Sequence, residues 1–152
     1  MRKILGLCVL TAAAGCADLT GAKDFHTDIE NASGATDVAA QENDARMSLG
    51  RIETALSDFV KKENKAPDDL DALIPNYIAE LPPVDITVCG KRREGVQKYP
   101  GDLLRDGQID GSRIKGTGLW GYVHDQQRAV VFVDCMKPSA DGTPWYQVRG
   151  VY

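Results

Sequence analysis

Long apolar runs are scarce in this chain of 152 residues: the N-terminal stretch from Ile4 to Ala14 ends after 11. A helix that spans a bilayer needs roughly 20 such residues, so this stretch is too short for a permanent span. Closely paired cysteines are missing as well. The four cysteines stand at 8, 16, 89 and 135, far from the tight spacings of zinc or redox sites. There is no Gly-rich phosphate loop, no serine elbow and no HExxH. The two histidines, His26 and His124, have no motif around them and read as solvated surface groups. Excess positive charge is lacking too. With a net charge of -4, the chain as a whole is not drawn to nucleic acid or anionic lipid. These absences point away from an enzyme, from a resident cofactor and from a nucleic-acid partner. The totals, 43% hydrophobic and 26% charged, suit one ordinary globular domain.

What is present begins at the N-terminus. Arg2 and Lys3 precede the apolar stretch, which closes in small residues, the layout of a secretory signal peptide. Two cleavage points fit. Ala12-Ala13-Ala14 suits an ordinary cut before Gly15. Ala13-Ala14-Gly15-Cys16 resembles a bacterial lipobox, cut before Cys16 with acylation of its thiol. The short apolar stretch, the Gly before the Cys and the polar sequel favour the lipobox. Residues 1–15 then form a lipoprotein signal peptide, Cys8 leaves with it, and Cys16 carries the lipid. More than one acyl chain, palmitate among them, holds a protein stably, at about 0.8 kcal/mol per buried methylene. Ala17 follows the anchor where Asp would be the exception, which resembles the outer-membrane sorting signal of Gram-negative lipoproteins. The expected address is the cell envelope, on an outer membrane facing the periplasm. Residues 16–37, rich in Gly, Ala, Ser, Thr and Asp, lack clear periodicity and read as a flexible tether. Residues 38–152 are the folded domain.

From Val38 to Asn64 the pattern becomes helical. Ala45, Leu49, Ile52, Leu56, Phe59 and Val60 make one apolar stripe, with Asp37 as a candidate N-cap. Gly50 inside it costs about 1 kcal/mol relative to Ala. Asn64 suits the left-handed position at the helix end, and Lys65-Ala66-Pro67 stops the helix. In "APDDLDALIPNYIAELPP", Asp68 is positioned to cap a short helix. Asp69 and Asp71 fall in its first turn, where acids favour the dipole, a simpler account than paired catalytic acids.

The run "ARMSLGRIETALSDFVKKENKAPDDLDALIPNYIAELPPVD" resembles the soluble part of type IV pilin-like proteins, notably the major pseudopilins of type II secretion. Those proteins have a long helix with an I-E-x-A-L core, a turn, a segment like L-x-x-L-[VI]-P-x-Y-[IL]-x-x-L-P, and then a small antiparallel sheet. The resemblance covers residues 44 to 85. It departs from the family at Lys65, often Gly, and at Ala66, usually aromatic. The family's transmembrane half-helix is replaced by the lipobox and tether, so pilin-like polymerisation is not implied. What the resemblance implies is a pilin-like α+β fold, a long N-terminal helix packed on a small antiparallel β-sheet. The implied role is a non-catalytic one: a tethered adaptor or accessory module of a secretion, pilus or other envelope assembly, with an envelope protein as partner.

Strands are expected at Leu119 to Val123 and Ala129 to Cys135, around a polar turn at His124 to Arg128. A last strand is expected in "PWYQVRGVY" and a short one at Ile86 to Cys89. Alternation places Trp120, Tyr122, Trp145 and Tyr146 in the core or at its rim, the alternative being a binding face. Residues 90–118, rich in Gly and charge, read as a long loop, the place for a specific function. The alternative to the adaptor is accordingly a periplasmic small-ligand or ion-binding lipoprotein that uses this loop. Within it, Asp106, Gln108, Asp110 and Gly111 match the first half of a calcium loop, but position twelve is Thr117 rather than the usual Glu. A tight surface turn explains the same residues, while the calcium-binding loop of major pseudopilins favours the ion. Cys89 and Cys135, the thiols left after lipidation, form a disulfide in an oxidising compartment or remain as two buried thiols.

Overall fold

The computed structural model describes residues 21–125 and 128–150, the first thirteen of them by their backbone alone. The chain divides into two compact units, Met1–Ser33 and Gly34–Tyr152. The first unit's described part is helical backbone from residue 21 onward, and the packed core lies in the second. The class is α+β, with one long helix and small antiparallel and mixed sheets.

Helix α1 spans Gly21–Glu63, 43 residues. It therefore starts well before Val38, and residues 21–37, expected to be a flexible tether, are helical. Adding a turn to an existing helix fixes few torsions per hydrogen bond, and no proline interrupts residues 21–63. Asp37 lies inside the helix rather than capping it. From Ala45 onward the stripe packs as its spacing predicts: Ala45, Leu49, Ile52 and Leu56 are buried, and Phe59 and Val60 half-buried. Gly50 has a use that outweighs its propensity cost. The C-terminal segment crosses the helix there, so close that a Cβ at Gly150 would collide with the Gly50 backbone.

Asn64 takes the left-handed conformation, φ 55°. Asp69, not Asp68, caps the following 3-10 turn Leu70–Leu73, its carboxylate accepting from the Asp71 N–H at 3.2 Å. Leu70 and Leu73 are fully buried, and Tyr77 packs its ring 5.4 Å from that of Phe59.

Strands β1 (Val84–Ile86) and β2 (Gly90–Arg93) pair antiparallel, separated by a 3-10 turn at Thr87–Cys89. The expected strand at Ile86 to Cys89 is thus displaced toward the N-terminus. Strand β3 (Val96–Tyr99) pairs in parallel with β6 (Trp120–His124), which pairs antiparallel with β7 (Ala129–Val133). The main sheet is therefore mixed, not purely antiparallel. A parallel neighbour requires a long crossover, and residues 100–119 supply it. They are not a plain loop: they carry the two-residue strands β4 (Leu104–Arg105) and β5 (Gln108–Ile109) and two 3-10 turns. "PWYQVRGVY" forms a 3-10 turn at Trp145–Gln147, with no strand in its described residues: the Trp145 and Tyr146 N–H groups bond to Lys137 O and Cys135 O, but the next two, of Gln147 and Val148, turn back to Pro144 O and Trp145 O.

Both faces of the β6–β7 pair are covered. One meets α1 through Trp120, Tyr122, Val131 and Val133. The other meets the crossover through Val123 and Phe132, against Tyr99, Leu103, Ile109 and Ile114. Double coverage explains why "AVVFV" is continuously apolar rather than alternating.

Candidate functional site

Strand β6 points two aromatic donors at the segment after the helix. Trp120 Nε1 donates to the Pro82 carbonyl at 2.6 Å, and the Tyr122 hydroxyl to the Pro67 carbonyl at 2.5 Å. Alternate residues of a strand share a face, so the two side chains hold both ends of residues 67–82 against the sheet. Burial pushes the Tyr122 hydroxyl far above its ordinary value. Trp120, Tyr122 and Trp145 are core residues, and Tyr146 is half-buried. The indole N–H of Trp145 has no hydrogen-bond partner, and the Arg46 guanidinium lies 5.4 Å from the ring centroid.

On the opposite face the crossover is held by carboxylates. Asp134 is completely buried. It accepts from the N–H groups of Gly116 and Thr117, each at 3.0 Å, and from the Thr117 hydroxyl at 2.6 Å. The Tyr99 hydroxyl accepts from the Lys115 N–H at 2.7 Å. Burial, with Asp134 adjacent, pushes that hydroxyl's pKa up to about 12. Asp102 takes a two-pronged bond from Arg113 at 3.0 Å to each oxygen.

The residues singled out as calcium ligands are distributed along this crossover. Asp106 and Gly107 form the turn between β4 and β5, both with positive φ. Gln108 lies in β5. Asp110 accepts from the N–H and hydroxyl of Ser112 at 3.1 and 2.6 Å, which with Arg105 and Arg113 nearby lowers its pKa. Among the described residues no three His, Cys, Asp or Glu side chains come together to hold a metal ion.

Three further acids hold loops or turns. Glu42, buried on α1, receives the Ala140 N–H on both oxygens at 3.1 and 3.0 Å. Asp141 accepts from Ser139, Thr143 and Arg46, and the Ser139 bond leads in holding its carboxyl well below the usual carboxylate range. At Asp69, partial burial acts upward, but the Lys98 ammonium and the Asp71 N–H outweigh it and the pKa is lowered. His124 ends β6 instead of opening the turn, and stacks on Tyr122 with centroids 5.4 Å apart.

Cys89 and Cys135 are joined by a disulfide with Cα atoms 5.7 Å apart. It ties the turn after β1 to the residues after β7. Closing a loop of 46 residues contributes about 4 kcal/mol in the chain-entropy account. Cys16, with the whole of residues 1–20, lies outside the described residues, and of His26 only the backbone is described. No helix among the described residues is long and apolar enough to cross a membrane.

Two hollows flank α1. The larger, about 930 Å³, lies between the helix and residues 77–82 and is lined by Met47, Thr54, Asp58, Tyr77 and Ile78. The Tyr77 hydroxyl is buried there without a hydrogen-bond partner. The smaller, about 450 Å³, lies between the helix and β7, with Glu53, Lys61, Arg128 and Arg149 on its walls. Comparison with protein-family models, with curated proteins and with solved structures found no match.

Sequence reasoning missed one surface. Val88, Lys91, Arg92 and Arg93 are exposed beside one end of the disulfide, and Met136 and Lys137 beside the other. The signal was available in the run "GKRR" and in "CMK", but only the disulfide brings them together.

Proposed function

We infer that the protein is a non-catalytic, lipid-anchored envelope protein whose pilin-like head serves as a tethered adaptor or accessory module of a secretion, pilus-type or other envelope assembly. The observation that carries this reading is the Cys89–Cys135 disulfide. Such bonds persist in oxidising compartments and are rare in the cytosol, and the N-terminal signal would deliver the chain to such a compartment. The long helix with its buried stripe, followed by the proline-flanked segment and a sheet, supports the pilin-like reading. That step from fold to role is one of analogy. The acyl group on Cys16 anchors the chain in the membrane, and the head meets an envelope protein.

The test is a pull-down of the full chain from envelope membranes. Recovery of a specific envelope protein is expected, with the yield falling in the Cys16→Ser variant. Recovery of no envelope partner, together with a thermal shift induced by a small ligand or by calcium, would sink the adaptor reading. It would favour instead a periplasmic ligand- or ion-binding lipoprotein that uses residues 90–118.

A further inference from the structure

The disulfide gathers cations onto one surface. Cys89 sits between Val88 and Gly90-Lys91-Arg92-Arg93, and Cys135 is followed by Met136-Lys137. With the two Cα atoms 5.7 Å apart, these segments are neighbours. The end of the crossover joins them: a Cβ at Gly118 would touch the Cys89 carbonyl and approach the Arg93 stem, and one at Gly116 would lie 3.7 Å from Met136 Cε. Lys115 adjoins that contact. Lys91, Arg92, Arg93, Lys115 and Lys137 are all exposed.

The acids nearby do not neutralise this surface. Asp85 accepts the Arg92 backbone N–H, Glu94 pairs with the Arg92 side chain at 3.5 Å, and Asp134 is buried on Gly116 and Thr117. Lys91, Arg93, Lys115 and Lys137 enter none of the ion pairs among the described residues. Between these cations two large apolar side chains face water, Val88 at 47% and Met136 at 58% exposure.

We propose that this surface docks on an anionic phospholipid bilayer, with Val88 and Met136 entering the headgroup boundary and the cations meeting lipid phosphates. Apolar tips ringed by Lys and Arg suit an interface whose outer layer is anionic and whose next layer is hydrocarbon. An acidic protein would satisfy the charges but would have to supply a recess for both apolar tips. A net charge of -4 does not oppose docking, because screening confines each charge to roughly 8 Å at physiological salt. The Thr87 hydroxyl donates to Gln41 of α1 at 2.6 Å, which ties the turn that carries Val88 to the helix. The charge and exposure that carry the proposal do not depend on the lipidation of Cys16.

The test places a reporter at the surface. In the full chain, Met136→Trp adds an indole at an exposed site, while Trp120 and Trp145 are buried. Vesicles of phosphatidylcholine, with or without about a third of phosphatidylglycerol, carry brominated acyl chains as quenchers. The expected result is quenching and a blue shift of the introduced indole in the anionic vesicles alone. Adding Lys91→Ala and Lys137→Ala should weaken it roughly 25-fold, at about fivefold per cation, with an unchanged melting temperature. An introduced indole that stays unquenched while the chain is bound to anionic vesicles overturns the proposal, as does equal quenching without phosphatidylglycerol. A response to polyglutamate and not to lipid also overturns it, and assigns the surface to an acidic polypeptide. If Cys16 proves unacylated, the response of the M136W reporter is still expected, so failure of the anchor and failure of the docking surface are separable.

Discussion

The two faces of the β6–β7 pair are covered by unlike means. On one side a regular helix delivers Leu49, Ile52 and Leu56, and the sheet answers with Trp120 and Tyr122. On the other an irregular crossover is held by carboxylates: Asp134 on the N–H groups of Gly116 and Thr117, Asp110 on Ser112, Asp102 on Arg113. Burial of apolar area drives the first. In the second, backbone donors without a helix or ladder partner are satisfied one at a time by side-chain acceptors, Asp110 from within the crossover and Tyr99 and Asp134 from outside it. The crossover also buries Leu103, Ile109 and Ile114 against the sheet, but the path of its backbone depends on a few hydrogen bonds.

That contrast can be tested by removing one element from each side. Trp120→Ala should cost the most, about 3–5 kcal/mol, by deleting a buried indole and orphaning the Pro82 carbonyl. Urea denaturation would measure it. Asp134→Ala should cost less, about 2–3 kcal/mol, through the lost charge-assisted bonds at Gly116 and Thr117. Its hydrogen-exchange signature should be local, with residues 115–118 losing protection while α1 keeps it. If Asp134→Ala instead loosens α1 as much as Trp120→Ala does, the two faces form one cooperative unit and the contrast collapses. Tyr122→Phe should cost about 1 kcal/mol, the hydroxyl's bond to Pro67 being the only loss.

The smallest effects are those of pH. Asp69, Asp110 and Asp141 have lowered pKa values. The stability they add is present above the unfolded carboxyl value of about 3.9 and fades as pH falls below it. Tyr99 is raised to about 12, so its share is complete below its unfolded value near 10 and is lost as pH rises toward 12. Melting temperature against pH should show a plateau between these limits; Tyr122, raised further by burial, acts in the same sense, so Tyr99→Phe should lessen the alkaline fall without abolishing it.

The same contrast decides what is legible in the sequence. The helix stripe announces itself by its 3.6-residue period, Asn64 by its place before Lys65-Ala66-Pro67, and β7 by its β-branched run. The disulfide is one of two open readings, because sequence carries no distances. The parallel strand "VQKY" is short and half polar, so nothing local marks it as the neighbour of β6. The order of residues 115–118 is illegible because it comes from Asp134, outside the crossover, and the helical state of residues 21–37 because they show no apolar stripe. The cationic surface is hidden for a similar reason: a net charge sums over a chain, while docking depends on one face.

Address and anchoring turn on the fate of the cysteines. Intact-mass measurement of the full chain, produced in a Gram-negative bacterium and extracted from its envelope, addresses all of them at once. The predicted species begins at Cys16, carries acyl chains there, and takes up no alkylating agent until Cys89–Cys135 is reduced. A chain that begins at Gly15 without lipid, or that alkylates at Cys89 and Cys135 before reduction, would contradict it.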